Sequence, residues 1–179
     1  TGNFNAVINS CIDLGYRLVI VLSGGMEDLR RQTQERIEKD VEGREVRQNE
    51  WNGVGNIAKF GGRFNTKEQI IIPTAIDKDF NLNLSEADFA LDKINVLVCK
   101  KNTSILRNIL VWLKRFATKE FIDNIPLLII DDEADNASLN NLGHKGKEEA
   151  TRINLQIRCI LNLFAKSSYI GYTATPFAN

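Results

Sequence analysis

The sequence has little of the chemistry that builds metal centres or disulfide scaffolds. It contains one histidine and three cysteines in 179 residues, and the cysteines show no CxxC spacing. A single histidine argues against His-rich metal sites and His-based catalytic triads. Because Cys11, Cys99 and Cys159 each lie in an apolar stretch, we expect small buried thiols in a reducing, cytoplasmic compartment.

Net charge and long apolar runs are also absent. The 23 Lys+Arg balance the 23 Asp+Glu, which argues against nucleic-acid binding through bulk charge but leaves room for a local basic patch. No apolar run approaches the roughly 20 residues of a membrane span, and no signal peptide is visible, so we expect no membrane partner. A hydrophobic share of 43% is enough for the core of one domain.

Apolar runs and amphipathic segments alternate along the chain. Apolar runs predict buried strands at 18–22 and 94–99, and further strands are predicted at 127–130 and 168–172. Helical periodicity predicts helices at 3–14, 26–40, 105–116 and 153–164, with Gly15 as a left-handed cap and Thr103 or Ser104 as an N-cap. This alternation predicts an α/β fold with a mostly parallel sheet covered on both faces.

Residues 41–93 do not follow the alternation. They are rich in glycine and aromatic residues, and we interpret them as an insertion with its own small structure. A short strand at 70–72 and a short helix at 85–92 are expected within it.

The segments that follow the predicted strands are polar. In a parallel α/β sheet ligands bind at the carboxyl ends of the strands, so these segments should share one edge. They are Ser23-Gly24-Gly25, Lys100-Lys101-Asn102-Thr103, Asp131-Asp132-Glu133-Ala134-Asp135 and Thr173-Ala174-Thr175.

The acidic segment is the strongest functional signal. Four apolar residues that run into Asp131 and Asp132 are typical of a Walker B strand, where a carboxylate serves the Mg²⁺ of a bound nucleotide. An adjacent carboxylate can orient or deprotonate the attacking water. Four acids in five residues repel one another, and a cation or a nearby lysine or arginine would relieve that repulsion. The structural alternative is a solvated acidic turn that caps the next helix.

Two motifs carry a resemblance to a known class of proteins. Asp132-Glu133-Ala134-Asp135 resembles the DEAD signature of superfamily-two helicases and translocases, and Thr173-Ala174-Thr175-Pro176 resembles their motif III. Leu29-Arg30-Arg31-Gln32 resembles the motif Ia region, although Arg30 and Gln32 taken alone are expected on the helix surface. The longer strings IIDDEADNAS and GYTATPFAN resemble the bacterial Z-one endonuclease family, helicase-like proteins often found beside restriction–modification systems.

The resemblance implies a three-layer, RecA-like P-loop NTPase domain, the first motor domain of an ATP-dependent, DNA-acting protein. Asp132 would hold the Mg²⁺ shell and Glu133 would act as general base. Asp135, Thr173 and Thr175 would border the ATP and couple its hydrolysis to the grip on nucleic acid.

One part of that pattern is missing. The first strand and the GxxxxGK[ST] loop of a P-loop protein are absent, and a helix begins almost at Thr1. Thr1 stands where the final threonine of the loop would stand, and would then be a Mg²⁺ ligand; the alternative is that Thr1 is only the first residue of this chain. We therefore expect residues 1–179 to be one RecA-like domain fragment, with most of the Walker A motif outside it.

A basic stretch suggests a nucleic-acid contact. Lys100 and Lys101 precede a helix that begins near Thr103, and helix N-termini and lysines both bind backbone phosphates. Ser23, Gly24 and Gly25 have the same interpretation on weaker grounds. The alternative for both segments is ordinary solvated surface.

Three functions follow from the sequence. The first is the ATPase motor of a helicase-like protein of a restriction or defence system, with Mg²⁺, ATP, DNA and a second RecA-like domain as partners, and with little hydrolysis by this chain alone. The second is a metal-dependent DNA endonuclease that uses Asp131, Asp132, Glu133 and Asp135 as its metal cluster. The third is a non-catalytic docking module.

Overall fold

The structure is a computed structural model that describes residues 2–42, 44–45, 50–51, 70–83, 93–116, 118–134 and 143–173. Its helices are α1 (Gly2–Asp13), α2 (Glu27–Ile37), α3 (Thr103–Phe116), α4 (Lys119–Asn124) and α5 (Gly143–Leu161), and a π-helical turn, Glu38–Glu42, follows α2. The strands are β1 (Leu18–Ser23), β2 (Arg44–Glu45), β3 (Glu50–Trp51), β4 (Ile70–Ile71), β5 (Ile94–Lys100), β6 (Leu127–Asp132) and β7 (Ser167–Tyr172).

Five of these strands form one parallel sheet in the order β4-β5-β1-β6-β7. β1 lies at its centre, with Val19 level with Val96 of β5 and with Leu128 of β6. The three central strands are buried on both faces, which explains their continuous apolar sequences. The predicted α/β class and parallel sheet are confirmed. β2 and β3 form a separate antiparallel pair.

Helices cover both faces of the sheet. On one face, α3, α4 and α5 bury residues such as Leu106, Phe121 and Ile157 against alternate residues of the strands. On the other face, α1 and α2 bury Ile8, Ile12 and Ile37 against the intervening strand residues. We call these the α3/α5 face and the α1/α2 face. None of the described helices combines the length and the apolarity needed to cross a membrane.

Several local predictions are confirmed and others are wrong. Gly15 adopts the predicted left-handed conformation, with φ of 95°. The N-cap of α3 is Asn102, whose Oδ1 accepts a hydrogen bond from the Ile105 amide at 2.8 Å, rather than Thr103 or Ser104. Helix α4, capped by Thr118, was not predicted because it is only six residues long. Cys99 is buried as expected, whereas Cys159 is exposed on α5.

Arg30 departs most from expectation, because it is fully buried instead of lying on the surface of α2. Its guanidinium donates hydrogen bonds to the carbonyl oxygens of Ala75 at 2.9 Å and Ile76 at 2.6 Å. It also contacts Glu27 Oε1 at 2.7 Å, and this hydrogen bond lowers the pKa of the Glu27 carboxyl. A buried charge needs such partners, and the segment after β4 supplies them.

A second polar contact, one turn further along α2, reinforces the contacts made by Arg30. Gln34 donates to the carbonyl oxygen of Thr74 at 2.8 Å and accepts from the Thr74 hydroxyl at 3.0 Å. The same hydroxyl oxygen accepts a hydrogen bond from the Val98 amide of β5 at 3.0 Å. Residues 74–76 are therefore fixed between α2 and β5 by buried hydrogen bonds.

These contacts predict that substitution of Arg30 and of the adjacent Arg31 will lower the free energy of unfolding by different amounts. R30M leaves two carbonyl oxygens without their donor, so we expect it to lower the free energy of unfolding by about 2–4 kcal/mol. R31M is the matched control, because the Arg31 side chain is 51% exposed, and we expect it to change stability by less than about 0.5 kcal/mol. Urea denaturation measures both, and equal effects would contradict the assigned role of Arg30.

Candidate functional site

Four strands of the sheet end at one edge. Ser23 of β1 lies level with Lys100 of β5, and Leu22 lies level with Asp131 of β6. Asp132 of β6 is in turn level with Tyr172 of β7. The carboxyl edge therefore brings together the glycine, lysine and acidic segments singled out in the sequence.

The chain leaves this edge in opposite directions after the two neighbouring strands β1 and β6. After β1 it continues into α2 on the α1/α2 face, and after β6 it returns as α5 on the α3/α5 face. In open α/β sheets, the ligand crevice is expected between the carboxyl ends of adjacent parallel strands whose connections diverge in this way. Gly24 and Glu133 follow the two strands at this crevice.

Asp131 is a buried ion-pair partner. Its Oδ2 lies 2.9 Å from Nζ of Lys101, and the two side chains are only 1% and 4% exposed, respectively. The Tyr169 hydroxyl donates a second hydrogen bond to the same oxygen at 2.7 Å. Asp131 Oδ1 is buried without a hydrogen-bond partner among the described residues. Asp131 is therefore held within the α3/α5 face rather than exposed at the rim.

Tyr169 shows the electrostatic effect of this arrangement. Burial raises the pKa of its hydroxyl, and the hydrogen bond to Asp131 and the negative charge of that carboxylate raise it further. The tyrosine therefore stays protonated and continues to donate to Asp131 well above neutral pH.

Asp132 points to the opposite face from Asp131, because successive side chains of a strand alternate. Leu128 and Ile130, which precede it on the same face, pack with Ile8 and Ile12 of α1. Asp132 is partly exposed at the tip of β6. It therefore lies on the face covered by α1, the helix that directly follows Thr1.

Glu133 adopts a backbone conformation that is uncommon outside glycine, with φ of 82°. Its amide and that of Ala134 both donate to the carbonyl oxygen of Tyr172, at 3.1 and 2.8 Å. Its own carbonyl oxygen accepts a hydrogen bond from Lys101 Nζ at 3.0 Å. Such strain persists where surrounding contacts hold it, and it is concentrated at functional sites.

The Glu133 carboxylate lies against Gly24. A Cβ atom added at Gly24 would lie 2.5 Å from Oε2 of Glu133 and 3.0 Å from Cδ1 of Leu29. Glycine at position 24 therefore makes room for the carboxylate at the crevice. By contrast, a Cβ atom at Gly25 would meet no atom within 4 Å.

The two predicted phosphate-binding lysines have different surroundings. Lys100 is partly exposed, with Nζ 2.7 Å from Glu27 Oε2 and 3.9 Å from Asp79 Oδ2. Lys101 is buried against Asp131, so a phosphate could reach it only if that ion pair opened. Ser23 is also buried, and its hydroxyl donates to the Cys99 carbonyl oxygen at 3.1 Å. Thr103 begins α3, and its carbonyl oxygen accepts a hydrogen bond from Gln156.

Several predicted site residues lie outside the described residues, namely Thr1, Asp135 and Thr175. Thr173, just after β7, is described and exposed at the carboxyl edge. Within the described part of the chain, no group of three or more His, Cys, Asp or Glu side chains could hold a metal ion. The assignments to Mg²⁺ and ATP therefore stay predictions.

Sequence reasoning missed the pairing of Lys101 with Asp131 and the contribution of Tyr169. The repulsion within the acidic segment did indicate that a bound cation or a nearby lysine or arginine was needed. It did not identify which one, because Lys101 is 30 residues away in the chain and reaches Asp131 only through the strand order β5-β1-β6.

The contrast between Gly24 and Gly25 gives a test of this geometry. We expect G24A to displace the Glu133 carboxylate, because that flexible side chain is the atom group a new methyl would meet first. The ¹³C chemical shift of the Glu133 carboxyl carbon should move in G24A and stay unchanged in G25A. An unchanged shift in both variants would contradict the placement of the carboxylate on Gly24.

Comparisons with known proteins leave the chain without an assigned family. No family model matches it, and neither the curated proteins nor the solved structures contain a match. The residues of the carboxyl edge and the motif resemblance are therefore the basis for the function proposed below.

Proposed function

We propose that this chain is a RecA-like nucleotide-binding motor domain, which binds Mg-ATP at the carboxyl edge between β1 and β6. The observation that carries the proposal is that the acidic side chains of residues 131–133 have different environments. Asp131 is neutralised by Lys101 in the interior, whereas Asp132 and Glu133 are left at the crevice. A buried ion pair fixes the end of β6, and Asp132 and Glu133 follow it at the carboxyl edge, where Asp132 is partly exposed and Glu133 is exposed.

The donor set fits the magnesium of a bound nucleotide better than a protein-enclosed metal site. Mg²⁺ usually keeps several waters and binds through one or two carboxylates together with the substrate phosphates. One partly exposed carboxylate, Asp132, on the face of α1 suits that mode, and Thr1 before α1 is its proposed second ligand. When bound, the metal would neutralise charge on the transferring phosphoryl group.

Glu133 is the proposed general base. Its side chain is exposed and its carboxylate lies over Gly24 at the crevice, where it could accept a proton from an attacking water. Asp135, Thr173 and Thr175 complete the proposed nucleotide border by resemblance alone.

DNA is the proposed second ligand. The resemblance to helicase-like proteins supports it, as does the partly exposed Lys100, which lies level with Ser23 at the same edge. Gly24, Gly25 and Thr103 are proposed as further contacts on sequence grounds. A second RecA-like domain and restriction–modification components are proposed partners of the whole protein on the same basis.

The endonuclease alternative gains no support from the described residues. A nuclease cluster would need the acidic side chains to converge, but Asp131 and Asp132 point to opposite faces of the sheet and Asp131 is bound to Lys101. The docking alternative likewise does not explain a strained glutamate at a crevice.

The role of Asp132 predicts a loss of magnesium-dependent binding. We expect D132N to weaken binding of a fluorescent ATP analogue in the presence of Mg²⁺ at least tenfold, and to leave the weaker binding measured in EDTA unchanged. D123N is the matched control, because Asp123 is an exposed residue of α4 away from the carboxyl edge, and it should bind like the unmodified chain. Equal affinities for all three proteins, with and without Mg²⁺, would contradict the nucleotide proposal.

The proposed need for an arginine from a second motor domain predicts slow turnover. In a phosphate-release assay we expect the 179-residue chain to hydrolyse little or no ATP, because the resemblance assigns that arginine to a second motor domain rather than to this one. Rapid turnover that E133Q abolishes and E35Q, on the exposed side of α2, does not would show that a second domain is unnecessary.

The same variants distinguish the motor from the endonuclease and from the docking module. Cleavage of DNA with Mg²⁺ and without ATP, lost in D132N, would favour the endonuclease. Unchanged function of the whole protein after both D132A and E133A would favour the docking module.

A further inference from the structure

The buried lysine at the end of β5 touches two parts of the candidate site at once. Nζ of Lys101 lies 2.9 Å from Asp131 Oδ2 and donates a hydrogen bond to the carbonyl oxygen of Glu133 at 3.0 Å. Its own amide donates to the Ser23 carbonyl oxygen at 2.9 Å, which fixes the lysine backbone to the end of β1. Through its amide and its side chain, this one residue therefore joins the carboxyl ends of β1, β5 and β6.

We propose that Lys101 is the positioning residue that holds Glu133 in its left-handed conformation, with the Glu133 carboxylate over Gly24. This inference rests on the proposed function, since it assigns a purpose to the position of Glu133 there. It also gives Lys101 a different role from the phosphate contact expected from the sequence.

The contacts around Glu133 support this role. The peptide before Glu133 is held by the hydrogen bond from its amide to Tyr172, and the peptide after it is held by the hydrogen bonds from Lys101 to its carbonyl oxygen and from the Ala134 amide to Tyr172. A residue with a Cβ populates the left-handed conformation about fivefold to thirtyfold less than the right-handed one, because its Cβ crowds the following carbonyl oxygen. A charge-assisted hydrogen bond to a carbonyl oxygen is of the size needed to offset that preference.

Asp131 explains why a charged donor can occupy this buried position. The Lys101 side chain is 4% exposed, and its close contact with the Asp131 carboxylate offsets the cost of burying an ammonium group. Tyr169 fixes the same oxygen of Asp131 from the β7 side, at 2.7 Å. Asp131 and Tyr169 thus support the ammonium group, and the ammonium group supports Glu133.

A pair of variants distinguishes the effect of Lys101 on the Glu133 backbone from the effect of leaving one charge of the ion pair buried alone. D131N removes the buried anion with little change of shape, and the new amide oxygen can still accept a hydrogen bond from Lys101 Nζ beside the Glu133 carbonyl oxygen. K101M/D131N removes the donor as well as the anion, so that neither charge of the pair is left in the interior. The variants differ only at position 101, so their comparison shows what Lys101 does to Glu133 when Asp131 is absent.

Nuclear magnetic resonance on the whole chain gives the first readout, because the one-bond Cα–Hα coupling of Glu133 reports the sign of φ. We expect the left-handed value in the unmodified chain and in D131N, and its loss in K101M/D131N. Adding E133G to the double variant should restore a left-handed φ, since glycine adopts it without support. A left-handed φ at Glu133 in K101M/D131N would overturn the proposal.

Single-turnover hydrolysis by the whole protein, in excess over ATP, gives the second readout, because this chain alone is expected to turn over little ATP. Relative to D131N, we expect K101M/D131N to lower the limiting rate at least tenfold and to leave the half-saturating concentration within twofold. A lower limiting rate with φ unchanged, or an altered φ with the limiting rate unchanged, would each overturn the positioning role. Absence of Mg-ATP binding by the unmodified chain would instead refute the proposed function, and the coupling of Glu133 would still decide what Lys101 does to the backbone.

Discussion

The buried ion pair between Lys101 and Asp131 determines how the acidic segment is used. Removing water from both charges is expensive, and such a pair persists only where close contact and further hydrogen bonds compensate. Here Tyr169 supplies one further hydrogen bond and the Glu133 carbonyl oxygen another. Once Asp131 is committed to the interior, the alternation of side chains along β6 directs Asp132 to the opposite face. The two carboxylates that look equivalent in sequence thereby have different environments.

The architecture of the sheet follows from local rules and was largely predictable. Apolar runs such as Leu127–Ile130 are long enough for a strand buried on both faces, and they are too short for a membrane span. The alternation of such runs with amphipathic segments indicates parallel strands, and β1, β5, β6 and β7 all begin within one residue of their predicted starts. Polar residues after those strands indicated where a ligand site would lie.

The burial of individual polar side chains was not predictable, because it depends on contacts between distant segments of the chain. Arg30 looks like a surface residue in the periodicity of α2, and its burial is caused by the carbonyl oxygens of residues 75 and 76. Those residues belong to a region with no clear pattern in the sequence. Likewise, the sequence shows that Asp131 and Asp132 must point to opposite faces, but only the position of Lys101 shows which one is buried. The positive φ of Glu133 has no local signal, since its neighbours are neither glycine nor asparagine.

Position 133 is a place where folding and chemistry favour different amino acids. Glycine would adopt a φ of 82° without steric cost, and its presence there would relieve the strain that glutamate brings to the turn after β6. Selection for stability alone would therefore tend to remove the glutamate. A charged, Cβ-bearing residue in this conformation costs folding stability, and under the proposed function that cost is the consequence of placing a reactive carboxylate at the turn.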